Sequence, residues 1–349
     1  MEKSEYLPPT YLKLAYSLRQ NVNETITKYF SKACGIFSCN MDHGYQGWSL
    51  LLWISRFVGI NASDINFTAG KYDPSVKPPF DCGFEALGEI VDIGSDTKLS
   101  VGQSVMYMVH GAFAEFKIVS ASKVLPVPYL GSEFLPLLVS GLTASISLDQ
   151  VGCIKSGETV LVTAAAGGTG QFAVQWAKHV GCHVIGTCSS DEKVEFLKSI
   201  GCDRPINYKK ESVKDVLKTE FPNGIDVIYE SVGGEMFETC LNSLALKGRL
   251  IIIGFITQYH SEKPLEVKPD LPRKLLTKSA SLRGFFLLHY FSHLPEYINK
   301  LIALLMKKEI KSFVFPSTFT GLEMIPDAVE SLYKQTGHGK IVVELNAEK

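Results

Sequence analysis

From about residue 142 to residue 310, short apolar runs rich in β-branched residues alternate with segments of helical periodicity. The runs predict strands and the periodic segments predict helices. Strands that alternate with helices are typical of a doubly wound parallel sheet, which binds ligands at the carboxyl ends of its strands. The predicted strands are 159–163, 183–187, 225–230, 249–254 and 280–286, and the predicted helices are 169–180, 191–200, 212–220, 234–246 and 295–307.

Residues 55–125 have a different pattern, in which β-rich segments are separated by Gly and Pro. This pattern is typical of a small, partly open β-barrel. The tail returns to β character at 340–345, and we expect it to close onto this first domain. The predicted strands of the barrel are 56–61, 88–93, 104–107 and 113–119.

The chain is therefore predicted to be an α/β protein with two domains, which its 349 residues are long enough to form. The expected bounds are 49–141 for the barrel, completed by 312–349, and 142–311 for the domain with the parallel sheet. Residues 1–48 show no strand alternation and are predicted to be a divergent segment. If barrel strands are lost there, the barrel is expected to expose strand edges and apolar surface.

Charge and composition exclude some functions. The net charge is −1 and the chain has no basic block, which argues against nucleic acid as a partner. No apolar run reaches the length that a bilayer span needs. The eight cysteines are scattered and predict free thiols in a reducing compartment.

The strongest motif is a glycine turn between a predicted strand and a predicted helix. Residues 159–170 read Thr-Val-Leu-Val-Thr-Ala-Ala-Ala-Gly-Gly-Thr-Gly. Glycines let the backbone approach a bound group, and the helix N-terminus offers free N–H groups to a pyrophosphate. We therefore predict that Gly168, Thr169 and Gly170 bind a dinucleotide. The alternative is an ordinary tight turn between strand and helix.

The end of the next strand indicates which dinucleotide binds. NAD-binding folds usually carry an acidic residue there, but this chain has Ser189 and Ser190, with Lys193 close behind. Hydroxyls and a lysine would hold a 2′-phosphate that an acid would repel, so NADP(H) is favoured over NAD(H). The alternative makes Ser190 a helix N-cap and Lys193 a solvated charge, and the two roles are compatible.

Several motifs together resemble the medium-chain dehydrogenase/reductase superfamily, in particular its zinc-free quinone oxidoreductase and enoyl reductase branch. The resemblance covers roughly residues 51 to 345. It implies a Rossmann sheet with a GroES-like barrel and a homodimer that pairs sheets edge to edge. The motifs are Asn61-Ala62-Ser63-Asp64, Gly83-Phe84-Glu85 with Gly88, the glycine turn, Ser189 to Lys193, and Asn207-Tyr208.

The resemblance also bears on zinc. Where zinc-using relatives carry a catalytic Cys and a His, this chain has Asn61 and Phe84, neither of which supplies the ligands that zinc prefers. The four closely spaced cysteines of the family's structural zinc lobe are missing between Cys82 and Cys153. We therefore predict no bound metal.

Without a Lewis acid, reduction of an activated C=C bond is easier than oxidation of an alcohol. Tyr72 stands where related enoyl reductases place a tyrosine proton donor, and Asn61 matches the active-site asparagine of quinone reductases. Both are candidate catalytic residues. The alternatives are an ordinarily packed barrel-edge tyrosine and an Asx-turn asparagine. We expect Tyr72→Phe to lower turnover more than NADPH affinity.

The remaining cofactor contacts are implied by position in the family, and each has a core-packing alternative. That alternative is weakest at the carboxyl end of a strand, where doubly wound sheets bind ligands. The implied residues are Tyr208, Ser231, Gly233, Ile253, Tyr259, Phe285, Phe286 and Leu287.

The resemblance implies NADPH-dependent reduction of the enone C=C bond of 15-oxo-prostaglandins, a reaction of lipid metabolism. Reduction of quinones or of lipid enones in general is an alternative, as is an NADPH-binding protein with impaired catalysis. The resemblance also suggests a peroxisomal location. The chain ends Asn346-Ala347-Glu348-Lys349, without a Ser-Lys-Leu address, so a cytoplasmic location is the other expectation.

Overall fold

The computed structural model describes residues 50–68, 80–94, 97–259, 270–316, 319–334 and 337–345. The contacts divide the chain into two compact units. The first holds the described residues up to Leu135, with those of Ser317–Lys334 and Val342–Lys349. The second holds the described residues of Pro136–Pro316 and Gln335–Ile341. The domain bounds expected from the sequence stay a prediction, and the segment 1–48 lies outside the described residues.

The first unit contains an antiparallel sheet of short strands, with the order β12-β1-β2-β3-β5 and with β4 also paired to β1. The tail strand joins this sheet, since Phe57 of β1 pairs with Glu344 of β12. Trp53 and Tyr107 are fully buried in its core and meet edge to face, with ring centroids 4.8 Å apart. The strands are β1 (Leu50–Gly59), β2 (Glu85–Ile93), β3 (Ser104–Met108), β4 (Phe116–Ser120), β5 (Val124–Pro126) and β12 (Val342–Glu344).

The second unit contains a parallel sheet with the strand order β11-β10-β9-β6-β7-β8. Because the chain runs outward in both directions from the adjacent pair β6 and β9, the topological switch point lies at their carboxyl ends. The α/β class, the Rossmann-like parallel sheet and the partly open barrel sheet are thus confirmed. The strands are β6 (Thr159–Val162), β7 (His183–Cys188), β8 (Arg204–Asn207), β9 (Ile225–Glu230), β10 (Leu244–Ile252) and β11 (Ser281–Gly284).

Helices connect these strands, and all but the first and last lie in the second unit. They are α1 (Ser63–Thr68), α2 (Val139–Ile146), α3 (Gly170–Val180), α4 (Asp191–Ser199), α5 (Val213–Glu220), α6 (Gly234–Asn242), α7 (Leu271–Lys278), α8 (Leu294–Met306) and α9 (Ile325–Lys334). Short 3₁₀ helices cover Ala121–Lys123, Ser132–Leu137, Ile256–Gln258, Leu287–His293 and Leu322–Met324, and a π-helix covers Ser147–Val151.

The apolar faces of the parallel strands form the core of the second unit. Leu161, Ile185 and Ile228 come from three adjacent strands and are fully buried against α5 and α6. The central strands β6, β7 and β9 are buried on both faces, which explains their nearly continuous apolar runs in the sequence.

One predicted element needs correction, and one strand was not predicted. The helix predicted over 234–246 ends at Asn242, because Leu244 already pairs with Ile225 of β9 as the first residue of β10. Lys247, with a φ of 61°, marks a turn within that strand. The strand β8 was not predicted, since its four residues, Arg-Pro-Ile-Asn, include a proline and no apolar run.

Among the described residues, the helical run Ser132–Val151 is long and apolar enough to cross a membrane by composition alone, which corrects the expectation that no run reaches this length. Most of it, 78%, is buried inside the protein. This burial is typical of a core helix.

Candidate cofactor and active site

The glycine turn follows β6 and leads directly into α3. Ala164 starts the turn with a φ of 47°, and its carbonyl accepts a hydrogen bond from the N–H of Gly167 at 3.0 Å. A Cβ atom at Gly170 would lie 2.5 Å from the carbonyl oxygen of Ala164, so only glycine fits there. Thr169 is the N-cap residue of α3 and has no side-chain cap bond. The turn therefore presents a helix N-terminus of the kind that binds phosphate.

The tail of the second unit covers one side of this turn. Gly339 donates from its N–H to the carbonyl of Ala166 at 2.9 Å. A Cβ atom at Gly168 would lie 3.2 Å from Cδ of Lys340, which is only 2% exposed. The sequence analysis missed Lys340, because no local signal connects it to a turn so far away in the chain.

Two glutamine side chains hold α3 against residues 311–313. Gln171 donates from Nε2 to the carbonyl of Phe313 at 2.9 Å and accepts from its N–H at 2.8 Å. Gln175 makes the same pair of bonds with Lys311, both at 2.8 Å. Both glutamines are buried. The helix behind the glycine turn is therefore fixed by backbone-like hydrogen bonds as well as by packing.

At the carboxyl end of β7, the structure brings together Ser189, Lys193 and Tyr208. Nζ of Lys193 donates to Oγ of Ser189 at 3.1 Å, and Tyr208 shares a hydrogen bond with the same serine. Lys193 is 9% exposed, and burial lowers its pKa. Tyr208 is half exposed, and burial raises its pKa while the bond with Ser189 lowers it. Hydroxyls and an amine thus share one polar cluster, which suits a phosphate.

Ser190 beside this cluster caps α4, because its side chain accepts a hydrogen bond from the N–H of Lys193 at 3.3 Å. The N-cap role that the sequence left open is present. Asp191 is exposed and forms an ion pair with Lys210, whose hydrogen bond lowers the pKa of that carboxyl group. Asn207 also donates to Asp191, at 2.9 Å. The carboxyl group of Asp191 is thus already engaged with a cation.

Ser231 and Gly233 follow the carboxyl end of β9. The N–H of Ser231 donates to Oγ1 of Thr163 at 2.9 Å, which links this turn to the end of β6. Gly233 has a φ of 81°, in the left-handed region that favours glycine. Both residues therefore lie at the switch point of the parallel sheet, as ligand-binding residues of doubly wound folds do.

The remaining predicted contacts lie at the ends of β10 and β11. Ile253 follows β10 and is half-buried, and Tyr259 is buried with its ring edge to face with Phe255 at 5.1 Å. Phe285 is buried and stacks on Tyr290 at 4.8 Å, which matches its core-packing alternative. Two further residues follow it: Phe286, which is 40% exposed, and Leu287, which is half-buried.

The first unit holds Asn61, two residues after the end of β1. Nδ2 of Asn61 donates to Oε1 of Glu85 at 3.0 Å, and its N–H donates to Oδ2 of Asp64 at 2.7 Å. The bond to Asp64 uses the backbone N–H of Asn61 and not its side chain, so it is not the Asx turn offered as the alternative role, which stays a prediction. The bond to Glu85 was not foreseen. Tyr72 lies outside the described residues, so its predicted role stays a prediction.

An aromatic cluster lies beside this asparagine in the chain. Phe67 of α1 stacks on His110 with ring centroids 4.5 Å apart, and Phe84 meets both rings edge to face. Burial lowers the pKa of His110, and the nearby Lys117 lowers it further. His110 thus favours its neutral form, which packs well against apolar rings.

Two family models match the chain, one mainly in the first unit and one in the second. Residues 54–129 match the family model described as an alcohol dehydrogenase GroES-like domain, and residues 168–306 match the one described as a zinc-binding dehydrogenase. Mouse prostaglandin reductase-3 is 55% identical over 305 residues, which cover 84% of this chain and 81% of that protein. The chain belongs to the medium-chain dehydrogenase/reductase superfamily. The resemblance seen in the sequence motifs is confirmed.

Two further members of the superfamily are similar to this chain. The NADP(+)-dependent 2-alkenal reductase of tobacco is 33% identical over 290 residues, which cover 80% of this chain and 81% of that protein. A mycobacterial protein solved in complex with NADPH has a TM-score of 0.74 and 29% identity, and the match covers 87% of this chain and 94% of that one.

The description of the second family model raises the question of zinc. The two positions at which zinc-using relatives carry Cys and His hold Asn61 and Phe84, and the amide of Asn61 is directed to Glu85. Burial, together with Asp64 and Asp81, raises the pKa of the nearby Cys82 to about 12, which opposes the thiolate form. Among the described residues, no group of three His, Cys, Asp or Glu could hold a metal ion. These residues do not fit zinc, and its absence stays a prediction.

Proposed function

We propose that this protein reduces the enone C=C bond of 15-oxo-prostaglandins with NADPH, at the double bond between C13 and C14. The cluster of Ser189, Lys193 and Tyr208 is the observation that carries the proposal, because it offers a buried amine and two hydroxyls to a 2′-phosphate. The names of the mouse and tobacco relatives and the NADPH complex of the mycobacterial protein support it.

The chain's residues fit the proposed cofactor at three places on the parallel sheet. The turn with Gly168, Thr169 and Gly170 would hold the pyrophosphate, because a side chain at Gly170 would collide with backbone. The cluster at Lys193 would hold the 2′-phosphate. The ends of β9, β10 and β11 would hold the nicotinamide, through residues that include Ser231, Gly233, Ile253, Tyr259, Phe285, Phe286 and Leu287.

When bound, NADPH supplies a hydride to the β-carbon of the enone. Negative charge then spreads to the carbonyl oxygen of the substrate as an enolate, which a hydrogen-bond donor stabilises. In the proposal, Tyr72 donates to this oxygen or protonates the α-carbon, which completes the addition of H⁻ and H⁺ across the double bond. Asn61, whose side-chain amide donates to Glu85 and whose backbone N–H donates to Asp64, orients the ribose of the cofactor or Tyr72.

The experiment follows NADPH oxidation at about 340 nm, the cofactor's own absorbance band, with a 15-oxo-prostaglandin and separately with a quinone. We expect turnover of the prostaglandin enone with NADPH and much slower turnover with NADH. Tyr72→Phe should lower kcat with little change in NADPH affinity. Turnover of the quinone alone would favour a quinone reductase. Tight NADPH binding without any turnover would favour a protein with impaired catalysis.

Two further proposals rest on the resemblance alone. The first is that two copies pair through the edge of the sheet, and the second is a peroxisomal or cytoplasmic location. Light scattering after size exclusion measures the first, and imaging of the tagged full chain measures the second. A monomer in solution would contradict the expected dimer.

A further inference from the structure

Glu230 is the last residue of β9, and its carboxyl group is fully buried. A carboxylate taken out of water is costly unless hydrogen bonds or a nearby cation compensate it. Among the described residues, the groups that contact this carboxylate are hydrogen-bond donors and not cations. Its position is also unusual, because it lies directly before Ser231 and Gly233 at the switch point of the sheet.

The partners of the carboxylate are the backbone of the turn that follows. Oε1 accepts from the N–H of Val232 at 2.8 Å and from the N–H of Gly233 at 3.0 Å, and Oε2 accepts from Gly233 at 3.2 Å. The hydroxyl of Thr163 lies 3.5 Å from Oε1. The side chain thus folds back and holds both amides of a turn that precedes α6.

The backbone of Glu230 extends this link to the next strand. Its carbonyl accepts from the N–H of Ile253 at 2.8 Å and from the N–H of Gly254 at 3.4 Å. Thr163, at the end of β6, accepts from the N–H of Ser231 at 2.9 Å through its own hydroxyl. One buried residue therefore connects the ends of three adjacent strands, each of which leads to a predicted cofactor contact.

We infer that Glu230 is a positioning residue of the cofactor site, whose carboxylate fixes the backbone of residues 231–233 in the shape that receives the nicotinamide end of the cofactor. The inference rests on the proposed function for the identity of the ligand. The fixing of the turn itself is a property of the second unit alone. In this inference Glu230 does not touch the cofactor itself but influences cofactor binding by holding the backbone of residues 231–233.

Only the ionised carboxylate offers acceptors on both oxygens, whereas a glutamine would turn an NH₂ donor towards an N–H of the turn. Burial raises the pKa of Glu230, and the hydrogen bonds from Gly233, Val232 and Thr163 oppose this rise. The titratable neighbour on α6 is Cys240, whose pKa is raised by burial and then by Glu230. As the pH falls towards the raised pKa of Glu230, protonation should loosen the turn.

The test compares wild type with Glu230→Gln and with Glu158→Gln, a matched control. Glu158 accepts from Arg249 at 2.8 Å and lies directly before β6, at the amino ends of the strands and thus at the end opposite to the predicted contacts. Amide hydrogen exchange at Val232 and Gly233 is measured without cofactor, and the NADPH dissociation constant is measured by fluorescence. For Glu230→Gln we expect exchange and the dissociation constant each to rise about tenfold. The control should change neither.

A pH series on the wild type keeps the inference testable if Glu230→Gln does not fold. The protection factors of Val232 and Gly233 should fall on acidification before those of the β9 core. Protection that stays constant, or exchange unchanged in Glu230→Gln, would overturn the inference whatever the protein binds. Wild type that binds no NADPH would instead overturn the proposed function, and faster exchange in the variant would still assign Glu230 to the turn.

Discussion

Asn61 donates a hydrogen bond from Nδ2 to Oε1 of Glu85, with the two atoms 3.0 Å apart and Glu85 fully buried. The amide is neutral and offers a hydrogen-bond donor to the buried carboxyl group. The bond depends on this N–H donor, which an ionised aspartate at position 61 would lack. It also explains why an amide serves here better than an acid of the same size.

Asn61→Asp should therefore be strongly destabilising at neutral pH. Two buried carboxylates at this distance disfavour each other's ionised form, so the variant pair acquires a raised pKa in the folded state. A raised carboxyl pKa costs stability above that pKa and none once the pair binds a proton. We expect a loss of about 3 kcal/mol in the free energy of unfolding at pH 7. Thermal unfolding should show the loss shrinking towards pH 5, and a loss independent of pH would contradict it.

Lys193→Met should weaken NADPH binding selectively. The variant keeps the length of the side chain and removes the buried amine that bonds Ser189. Loss of a charge-assisted bond to phosphate corresponds to a rise of about 10- to 100-fold in the NADPH dissociation constant, with the NADH value unchanged. Lys198→Met, on the exposed side of the same helix, is the control. Equal weakening of both cofactors would remove Lys193 from the 2′-phosphate site.

Gly170→Ala should destabilise the second unit, because its Cβ would lie 2.5 Å from the carbonyl oxygen of Ala164 and 2.7 Å from Cα of Ala165. Both contacts are with backbone, so the expected loss is about 1 to 3 kcal/mol. Gly284→Ala is the matched control, since no atom lies within 4 Å of its Cβ. Denaturant titration should show the control within about 1 kcal/mol of wild type.

The cysteines of the described residues should differ sharply in reactivity. Cys153 is exposed, whereas burial raises the pKa of Cys82 and of Cys202 to about 12. Alkylation of the native protein at pH 8, read by peptide mass spectrometry, should modify Cys153 first. Because these buried thiols ionise more readily in the unfolded chain, the free energy of unfolding should fall as the pH rises above 9. Rapid labelling of Cys82 in the folded protein would contradict the burial.

Zinc should be dispensable. Asn61 and Phe84 do not supply the thiolate and imidazole ligands that zinc prefers. We therefore expect mass spectrometry of the purified protein to find less than stoichiometric zinc. Dialysis against a chelator should leave NADPH oxidation unchanged, and restoration of lost activity by added zinc would contradict this prediction.

The sequence predicted the elements whose signals are local. β6, the glycine turn and α3 were predicted because their apolar run, glycines and helix follow one another directly. Lys193 was found because it lies one helical turn from Ser189. Glu230, Lys340 and Gln171 were missed, since each is a buried polar residue whose partners come from other segments or are backbone groups. Periodicity records which face of a strand is buried, but it carries no information on such pairings.

The bonds from Gln171 to Phe313 join residues 142 positions apart in the chain. During synthesis, the strand, turn and helix of the glycine motif leave the ribosome long before residue 313 is made. Until residues 311–313 are synthesised, the side-chain amides of Gln171 and Gln175 in the nascent chain therefore lack the backbone partners that they have in the folded protein. Contacts of such long range slow folding. The partly folded intermediate that forms before these contacts is the state that chaperones would bind.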